Sequence, residues 1–220
     1  MKRVLIAIES CQRHRGGEFH EAIRETWFKN IAVTDKRFFY SIGNGMTLQA
    51  DYPDETCLNG PDDYNSLPFK TQAICQWALE HNFDWIFKCD TDTIINPWQF
   101  IFSFEGYDYM GGANADINVP GFPPERIEFC SGGAGYWLSK KAMAIVAETS
   151  VIKGQQAEDV FVANALLKYG IKPAFHPGYR WRPGATIDKD IVSLHLSSAL
   201  QKKYEPSMMY DAYKQIRETL

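Results

Sequence analysis

The sequence lacks any apolar run approaching the ~18 residues that a membrane-spanning helix needs. The apolar run over residues 4–8 is also shorter than the roughly 7–15 residues of a signal-peptide core, so it predicts a buried strand. Internal repeats, low-complexity tracts and charge blocks that would mark a linker are absent too. We therefore expect one soluble, cytoplasmic domain over residues 1–220, or a domain cut from a longer chain.

Cysteine is scarce and basic charge is not in excess. The five cysteines are widely spaced with no CxxC pair, which favours reduced, packed thiols over a disulfide framework or a zinc site. Lys and Arg number 23 against 27 Asp and Glu, for a net charge of −4. Nucleic-acid binding favours a strongly basic face, so a nucleic-acid partner is not expected. A phosphorylated ligand would need local neutralisation by a metal or a few placed cations.

Short apolar runs alternate with amphipathic stretches along the chain. Predicted strands are RVLIAI (3–8), RFFYSI (37–42), DWIFKCD (84–90), KPAF (172–175) and IVSLHL (191–196). Predicted helices are EFHEAIRETWF (18–28), LPFKTQAICQWALEH (67–81), SKKAMAIVAE (139–148) and AEDVFVANALLKY (157–169). This alternation predicts an α/β fold with a mainly parallel central sheet flanked by helices.

Two aspartates, Asp90 and Asp92, follow the apolar strand in FKCDTDTIIN. Aspartate is common in turns, so a strand-end loop accounts for them. The second interpretation is a site for Mg²⁺ or Mn²⁺, which prefer oxygen ligands and commonly take one or two carboxylates from protein. Ligands of parallel sheets bind at the carboxyl ends of strands, where both residues are predicted to lie.

A second acidic pair, Glu158 and Asp159, begins a predicted helix in EDVFVANALLKYG. Acidic residues favour a helix N-terminus through capping and the helix dipole. The functional interpretation is a general base that takes a proton from an attacking hydroxyl. Both interpretations stay open at this point.

The segment CSGGAGYWLS contains Gly132 and Gly133 ahead of an aromatic strand. Such glycines permit close backbone approach to a ligand, and ordinary tight turns have the same composition. Neither a GxGxxG dinucleotide fingerprint nor a Walker loop is present.

Three further residues each carry a structural and a functional interpretation. His195 within IVSLHLSS is typical of a core histidine, and it becomes a metal ligand if its strand ends at the same cleft as Asp92. Arg24 and Lys70 lie on predicted helices, where most cationic side chains are solvated. Their functional interpretation depends on the order of motifs along the chain.

In that order, the motifs resemble the β-1,3-glycosyltransferase family, which includes galactosyltransferases, N-acetylglucosaminyltransferases and Fringe. EAIRETW is similar to the family's Ile-Arg-x-Thr-Trp helix, and FKCDTDTIIN to its Lys-x-Asp-Asp-Asp-x-Phe-x-Asn motif, with Thr91 in the middle place. DDYNSLPFKT resembles Asp-x-Tyr-x-Asn-Leu-Thr-x-Lys-Thr, with Ser66 and Pro68 as departures. CSGGAGYWLS, EDVFVANALLKYGI and IVSLHLS match the Ser-Gly-Gly, Glu-Asp-Val and late histidine blocks.

The resemblance spans roughly residues 3–198 and implies a single GT-A domain, a Rossmann-like fold that binds nucleotide sugars. Carried over, Asp92 binds Mn²⁺ or Mg²⁺ directly, Asp90 contacts the ribose or shares the metal, and His195 is a further ligand. Asp159 is the base, with Glu158 as the neighbouring alternative. The nucleotide sugar is contacted by Arg24, Lys70, Asp90, Gly132 and Gly133.

The resemblance also implies the reaction. A hexose or N-acetylhexosamine passes from a UDP-sugar to a hydroxyl of a glycan acceptor, in a β-1,3-type linkage and with inversion. The missing anchor and stem indicate a viral or bacterial member, in the host cytoplasm if viral, or an isolated domain. Two alternatives stay open: a metal-dependent nucleotide-sugar hydrolase, and a non-catalytic carbohydrate- or nucleotide-binding module on the same fold.

Overall fold

The structure is a computed structural model that describes residues 2–42, 52–100, 106–114, 127–151 and 157–220. Its strands are β1 (Val4–Glu9), β2 (Asp35–Ser41), β3 (Glu55–Leu58), β4 (Trp85–Asp90), β5 (Thr93–Ile95), β6 (Tyr109–Gly111), β7 (Ala113–Asn114), β8 (Phe129–Cys130), β9 (Tyr136–Ser139), β10 (Ala174–Phe175), β11 (Tyr179–Arg180) and β12 (Ser193–His195). Its α-helices are α1 (Glu18–Glu25), α2 (Leu67–Glu80), α3 (Lys140–Glu148), α4 (Glu158–Leu167), α5 (Leu196–Leu200) and α6 (Pro206–Glu218). Short 3₁₀ helices cover Gln12–His14, Phe28–Asn30 and Tyr64–Ser66.

Seven strands form the central sheet in the order β10-β6-β9-β4-β1-β2-β3. β1 pairs in parallel with β2 and β4, and β2 pairs in parallel with β3. β9 runs antiparallel to both β4 and β6, its neighbours. Two small sheets, β11-β12-β5 and β7-β8, lie outside the central one. The predicted α/β fold with a mainly parallel sheet is confirmed.

Both faces of the central sheet are covered, as a largely parallel sheet requires. Alternate residues of β1 point to opposite faces, so Val4, Ile6 and Ile8 pack in one apolar cluster and Leu5 and Ala7 in another. The first cluster includes buried residues of α1 and α6, and the second includes those of α2, α3 and α4. The continuous apolar run that predicted a buried strand therefore serves two cores.

The predicted strands and helices occur close to their predicted bounds. The elements that were not predicted are the short strands β3, β5, β6, β7, β8 and β11 and the helices α5 and α6. β3 has only four residues and begins with a buried glutamate, Glu55, so its sequence does not resemble an apolar strand. α6 carries few strongly apolar residues on its buried face, namely Met209, Ala212 and Ile216. Within the described ranges, no helix combines the length and apolarity needed to cross a membrane.

The packing of α6 is testable by stability. Ile216 is fully buried in the cluster that also contains Ala22 and Trp27. Ile216→Ala should lower the free energy of unfolding by roughly 2–5 kcal/mol, because it removes buried methylenes and leaves a cavity. Gln215→Ala, on the exposed face of the same helix, is the control and should change it by less than about 0.5 kcal/mol. Equal effects of the two changes in urea unfolding would contradict this packing.

Candidate active site

The carboxyl end of β4 brings two aspartates to a histidine from a distant part of the chain. Asp90 ends β4, and Asp92 lies in the turn that leads into β5. β5 pairs antiparallel with β12, so His195 lies opposite Thr93, and the Leu196 amide donates a hydrogen bond to the Asp92 carbonyl at 3.0 Å. This pairing places His195 Nε2 3.0 Å from Asp92 Oδ2.

Asp92 and His195 favour each other's charged forms. Burial acts to raise the pKa of Asp92, but the hydrogen bond to His195, its charge and the Ser197 hydroxyl together lower it below the usual value. Burial acts to lower the pKa of His195, and the hydrogen bond and charge of Asp92 outweigh that effect and raise it. The pair is therefore a carboxylate and an imidazole ring held at hydrogen-bond distance at one edge of the sheet, and a cation bound between them would displace the proton of His195 Nε2.

Asp92, His195 and Asp90 offer oxygen and nitrogen ligands, but they do not enclose a cation. Across the residues that the structure describes, no three His, Cys, Asp or Glu residues are arranged to hold a metal ion by themselves. The Asp90 Oδ1 atom instead lies 2.7 Å from the Lys88 Nζ atom. Hard cations commonly take only one or two carboxylates from protein and complete their shell with phosphate oxygens and water. The Asp92–His195 pair fits a shared site of that kind.

Behind these residues, Lys88 is buried among three carboxylates. Its Nζ atom lies 2.7 Å from Glu9 Oε2, 2.7 Å from Asp90 Oδ1 and 3.1 Å from Glu158 Oε2, and the side chain is 1% exposed. Burial acts to lower the pKa of Lys88, but the three carboxylates raise it well above its usual value. For Glu9, burial and the charge of Glu158 outweigh Lys88 and raise its pKa to about 7. Lys88 thus links β1, β4 and α4 beneath the cleft.

Glu158 and Asp159 are adjacent in the chain but differ in their surroundings. Glu158 accepts hydrogen bonds from Lys88, from the Thr71 hydroxyl at 3.1 Å and from the Tyr136 hydroxyl. Three donors thus hold this buried carboxylate in place.

Asp159 accepts only backbone hydrogen bonds among the contacts that the structure describes. They come from the Gly132 amide at 3.3 Å and the Val160 amide at 3.0 Å. Burial, followed by the negative charge of Glu158, raises the pKa of Asp159 to about 6. A carboxyl group with that pKa accepts a proton near neutral pH, as a general base must.

The two predicted glycines lie where any side chain would collide with the site. A Cβ atom on Gly133 would lie 2.2 Å from His195 Nδ1, and one on Gly132 would lie 2.7 Å from Glu158 Oε2. The lack of a side chain at these glycines lets the turn between β8 and β9 pass close to the His195 imidazole and to the Glu158 carboxylate. Their contact with a nucleotide sugar stays a prediction.

A cleft of about 460 Å³ opens in front of Asp90 and Asp92. Lys70 lies at its wall, where Nζ donates to the Ser10 carbonyl at 2.6 Å and to Asp62 Oδ1 at 2.8 Å. Its described lining comprises Glu9, Ser10, Cys11, Arg13, His14, Phe19, Asp62, Asp63, Tyr64, Leu67, Lys70, Asp90, Thr91, Asp92, Lys203 and Tyr204. The structure therefore brings Lys70 to the same cleft as the two aspartates.

Arg24 is not among the described residues that line this cleft. Its guanidinium pairs with Asp54, with both contacts at 2.9 Å, and with Glu55 at 3.2 Å. Glu55 Oε1 also lies 3.4 Å from His20 Nδ1, and His20 Nε2 is 2.6 Å from the Ser10 hydroxyl. Because Glu55 is buried and held by Arg24, this network joins α1 to β3; a role of Arg24 in donor binding stays a prediction.

Four side chains of the site were not predicted from the sequence: Glu9, Lys88, His14 and Ser197. Glu9 and Lys88 interrupt apolar strands, and a charged residue within a buried strand indicates a partner, because isolated buried charges are unstable. His14 Nδ1 lies 3.1 Å from the Thr91 hydroxyl, and the Ser197 hydroxyl donates to Asp92. These two contacts join segments distant in sequence, so no local pattern signals them.

The chain is similar in sequence and in fold to known glycosyltransferases. The chain is 26% identical over 221 residues to beta-1,3-galactosyltransferase 1 of Homo sapiens and of Mus musculus, an alignment that covers 83% of this chain and 67% of those proteins. Its fold is similar to the crystal structure of a glycosyltransferase involved in the glycosylation of the major capsid of PBCV-1, with a TM-score of 0.51, 13% identity, and coverage of 98% of this chain and 99% of that one. No protein-family model matches the chain.

The sequence similarity and the fold together support a glycosyltransferase with a GT-A-like fold. The resemblance stated from the motifs is therefore confirmed, and these similarities support a glycosyltransferase enzyme.

The raised pKa of Asp159 predicts a pH-dependent stability difference. Its folded-state pKa of about 6 exceeds the ordinary value of 3.8, so the folded state binds more protons than the unfolded state between those values. Stability contributed by protonated Asp159 is present below the ordinary pKa and is lost as the pH rises through about 6. Asp159→Asn cannot ionise, so its stability relative to the native protein should increase between about pH 4 and pH 7. Urea unfolding of both proteins across that range measures this. A constant difference would contradict the raised pKa.

Proposed function

We propose that this glycosyltransferase moves a hexose or N-acetylhexosamine from a UDP-sugar to a hydroxyl of a glycan acceptor, with inversion and a β-1,3-type linkage. The observation that carries the proposal is the meeting of Asp92 and His195 at 3.0 Å, at the sheet edge that also holds Asp90. Asp159, whose carboxylate accepts only backbone hydrogen bonds among the described contacts, supports the acid–base part of the reaction. The name of the relatives, beta-1,3-galactosyltransferase 1, supports the donor and linkage classes. A cytoplasmic location stays a prediction.

In this proposal, Asp92 and His195, with Asp90, would hold Mn²⁺ or Mg²⁺. When bound, such a cation stabilises the negative charge that develops on a diphosphate leaving group. Ser197 positions the Asp92 carboxylate through its hydrogen bond. The Lys88 ammonium lies 2.7 Å from Asp90 Oδ1 and occupies that oxygen. The other oxygen of the Asp90 carboxylate would therefore be the one that contacts the ligand.

Asp159 would act as the base in a single displacement. The acceptor oxygen forms a bond to the anomeric carbon, its proton passes to Asp159, and the bond between that carbon and the phosphate oxygen breaks with its electron pair leaving on the diphosphate. The anomeric carbon is oxocarbenium-like in the transition state, as in glycoside hydrolysis. Glu158 already accepts three hydrogen bonds, so Asp159 is the better base of the two.

Metal-dependent donor binding should require the carboxylate of Asp92. Asp92→Ala removes a carboxylate that contacts His195 and Ser197, and it should abolish the Mn²⁺-dependent part of UDP affinity in calorimetry. The control is Asp211→Ala, an exposed aspartate on α6 that should leave that affinity unchanged. Unchanged UDP affinity with Mn²⁺ in the Asp92 variant would overturn this assignment.

The base is tested by a matched pair of amide substitutions. Asp159→Asn should lower the rate of sugar transfer by about 10²–10⁴-fold while UDP and Mn²⁺ binding survive, since a general base contributes about that much. Glu158→Gln should be milder. The native rate should also fall below about pH 6, where the pKa of Asp159 places its protonation.

Two results would redirect the assignment of the base. An active Asp159→Asn beside an inactive Glu158→Gln would reverse the two roles, and full activity in both would place the base elsewhere. Release of free sugar at full rate without any acceptor would favour the hydrolase alternative over transfer.

A further inference from the structure

A second groove, of about 420 Å³, lies beside the end of β11. Its lining is mostly aromatic and cationic, and it includes Phe175, His176, Trp181 and Arg182. Phe175 is 40% exposed, so its ring faces the groove rather than the core. Pockets that combine apolar walls with a few convergent polar groups are typical ligand sites.

Trp181 is a fixed aromatic wall in this groove. Its Nε1 atom donates a hydrogen bond of 2.7 Å to the Ala113 carbonyl, which holds the half-buried ring in one orientation. The face of an aromatic ring carries partial negative charge and attracts the slightly positive C–H groups of an apolar surface. One face of a pyranose ring presents such C–H groups, so a sugar ring matches this wall.

The groove also carries a positive charge that its described lining residues do not balance. Arg180 is paired with Asp188 through contacts of 2.7 and 2.9 Å. Arg182 is exposed, and its guanidinium carbon lies 5.9 Å from the centre of the Trp181 ring. No Asp or Glu is among the described residues that line this groove. A carboxylate on the ligand would therefore complement Arg182, because guanidinium groups bind carboxylates with paired hydrogen bonds.

The register of the small sheet places the groove near His195. Arg180 of β11 lies opposite Leu194 of β12 in a parallel pair. The residues that follow this pair are Trp181, directly after the end of β11, and His195, the last residue of β12. Paired strands lie roughly 4.8 Å apart. A sugar stacked on Trp181 would thus lie near His195, the residue that contacts Asp92.

We propose that this groove is the acceptor subsite and that it takes a sugar carrying a carboxylate, with the ring on Trp181 and the carboxylate on Arg182. This inference rests on the proposed function for its role in transfer. The groove's affinity for an acidic sugar can be measured without any turnover.

The test compares two sugars that differ only at C6, methyl β-D-glucuronide and methyl β-D-glucoside. Their dissociation constants for the full chain are measured by ligand-observed NMR, without donor. The glucuronide should bind about tenfold more tightly, a difference that one charge-assisted contact supplies. Arg182→Gln should remove that preference, and Trp181→Ala should abolish binding of both sugars. Arg217→Gln, an exposed arginine on α6, is the control and should keep the preference.

UDP affinity in the presence of Mn²⁺, measured on the same proteins, separates this inference from the proposed function. A native protein that binds UDP but neither sugar overturns the acceptor subsite and leaves the donor site intact. Glucuronide binding that Arg182→Gln weakens, in a protein without UDP affinity, supports the groove while the proposed donor fails. Equal affinity of the native protein for both sugars overturns the selection for an acidic acceptor. Because Arg182 is exposed, its variant is expected to fold even if the Trp181 variant does not.

Discussion

The buried ammonium of Lys88 is the interaction on which the site depends. It is the point at which the end of β1, the end of β4 and the start of α4 meet, through Glu9, Asp90 and Glu158. Breaking a buried ion pair by removing one partner costs roughly 3–5 kcal/mol, since the remaining charge stays buried without compensation. Here a single cation compensates three carboxylates, so its loss would expose all of them to mutual repulsion. The position of the cleft relative to the sheet is fixed by this contact.

The same interaction separates the roles of two neighbouring carboxylates. Glu158 faces inward to Lys88, Thr71 and Tyr136, and its negative charge beside Asp159 helps to raise the pKa of that residue. A structural carboxylate thus makes its neighbour a better proton acceptor near neutral pH. The helix N-terminal position, which by itself accounts for acidic residues through capping and the dipole, does not explain this asymmetry. The burial of Asp159 and the negative charge of Glu158 explain it.

Much of the fold was predictable because local patterns determine it. The apolar run of β1 and the apolar spacing in α4 are properties of short segments, and both elements formed close to their predicted bounds. The convergence of Asp92 with His195 was predictable only from the order of the motifs, because it depends on the antiparallel pairing of β5 with β12. The role of Lys88 was missed because its three partners come from separate parts of the chain. Such contacts are properties of the sheet order, which the sequence pattern alone does not give.

The charges around the two cavities have opposite signs, and this contrast bears on what each one binds. The described lining of the cleft at Asp90 and Asp92 contains five carboxylates and three Lys or Arg side chains, among them Lys70 and Lys203. A nucleoside diphosphate entering that cleft would meet net repulsion unless a divalent cation entered with it, since like charges at close range are destabilising. Among the residues that the structure describes, the lining of the groove at Trp181 is cationic and contains no carboxylate. Charge would therefore direct a donor that carries a cation to the cleft, and an acidic acceptor to the groove. This selection would precede any contact specific to their sugars.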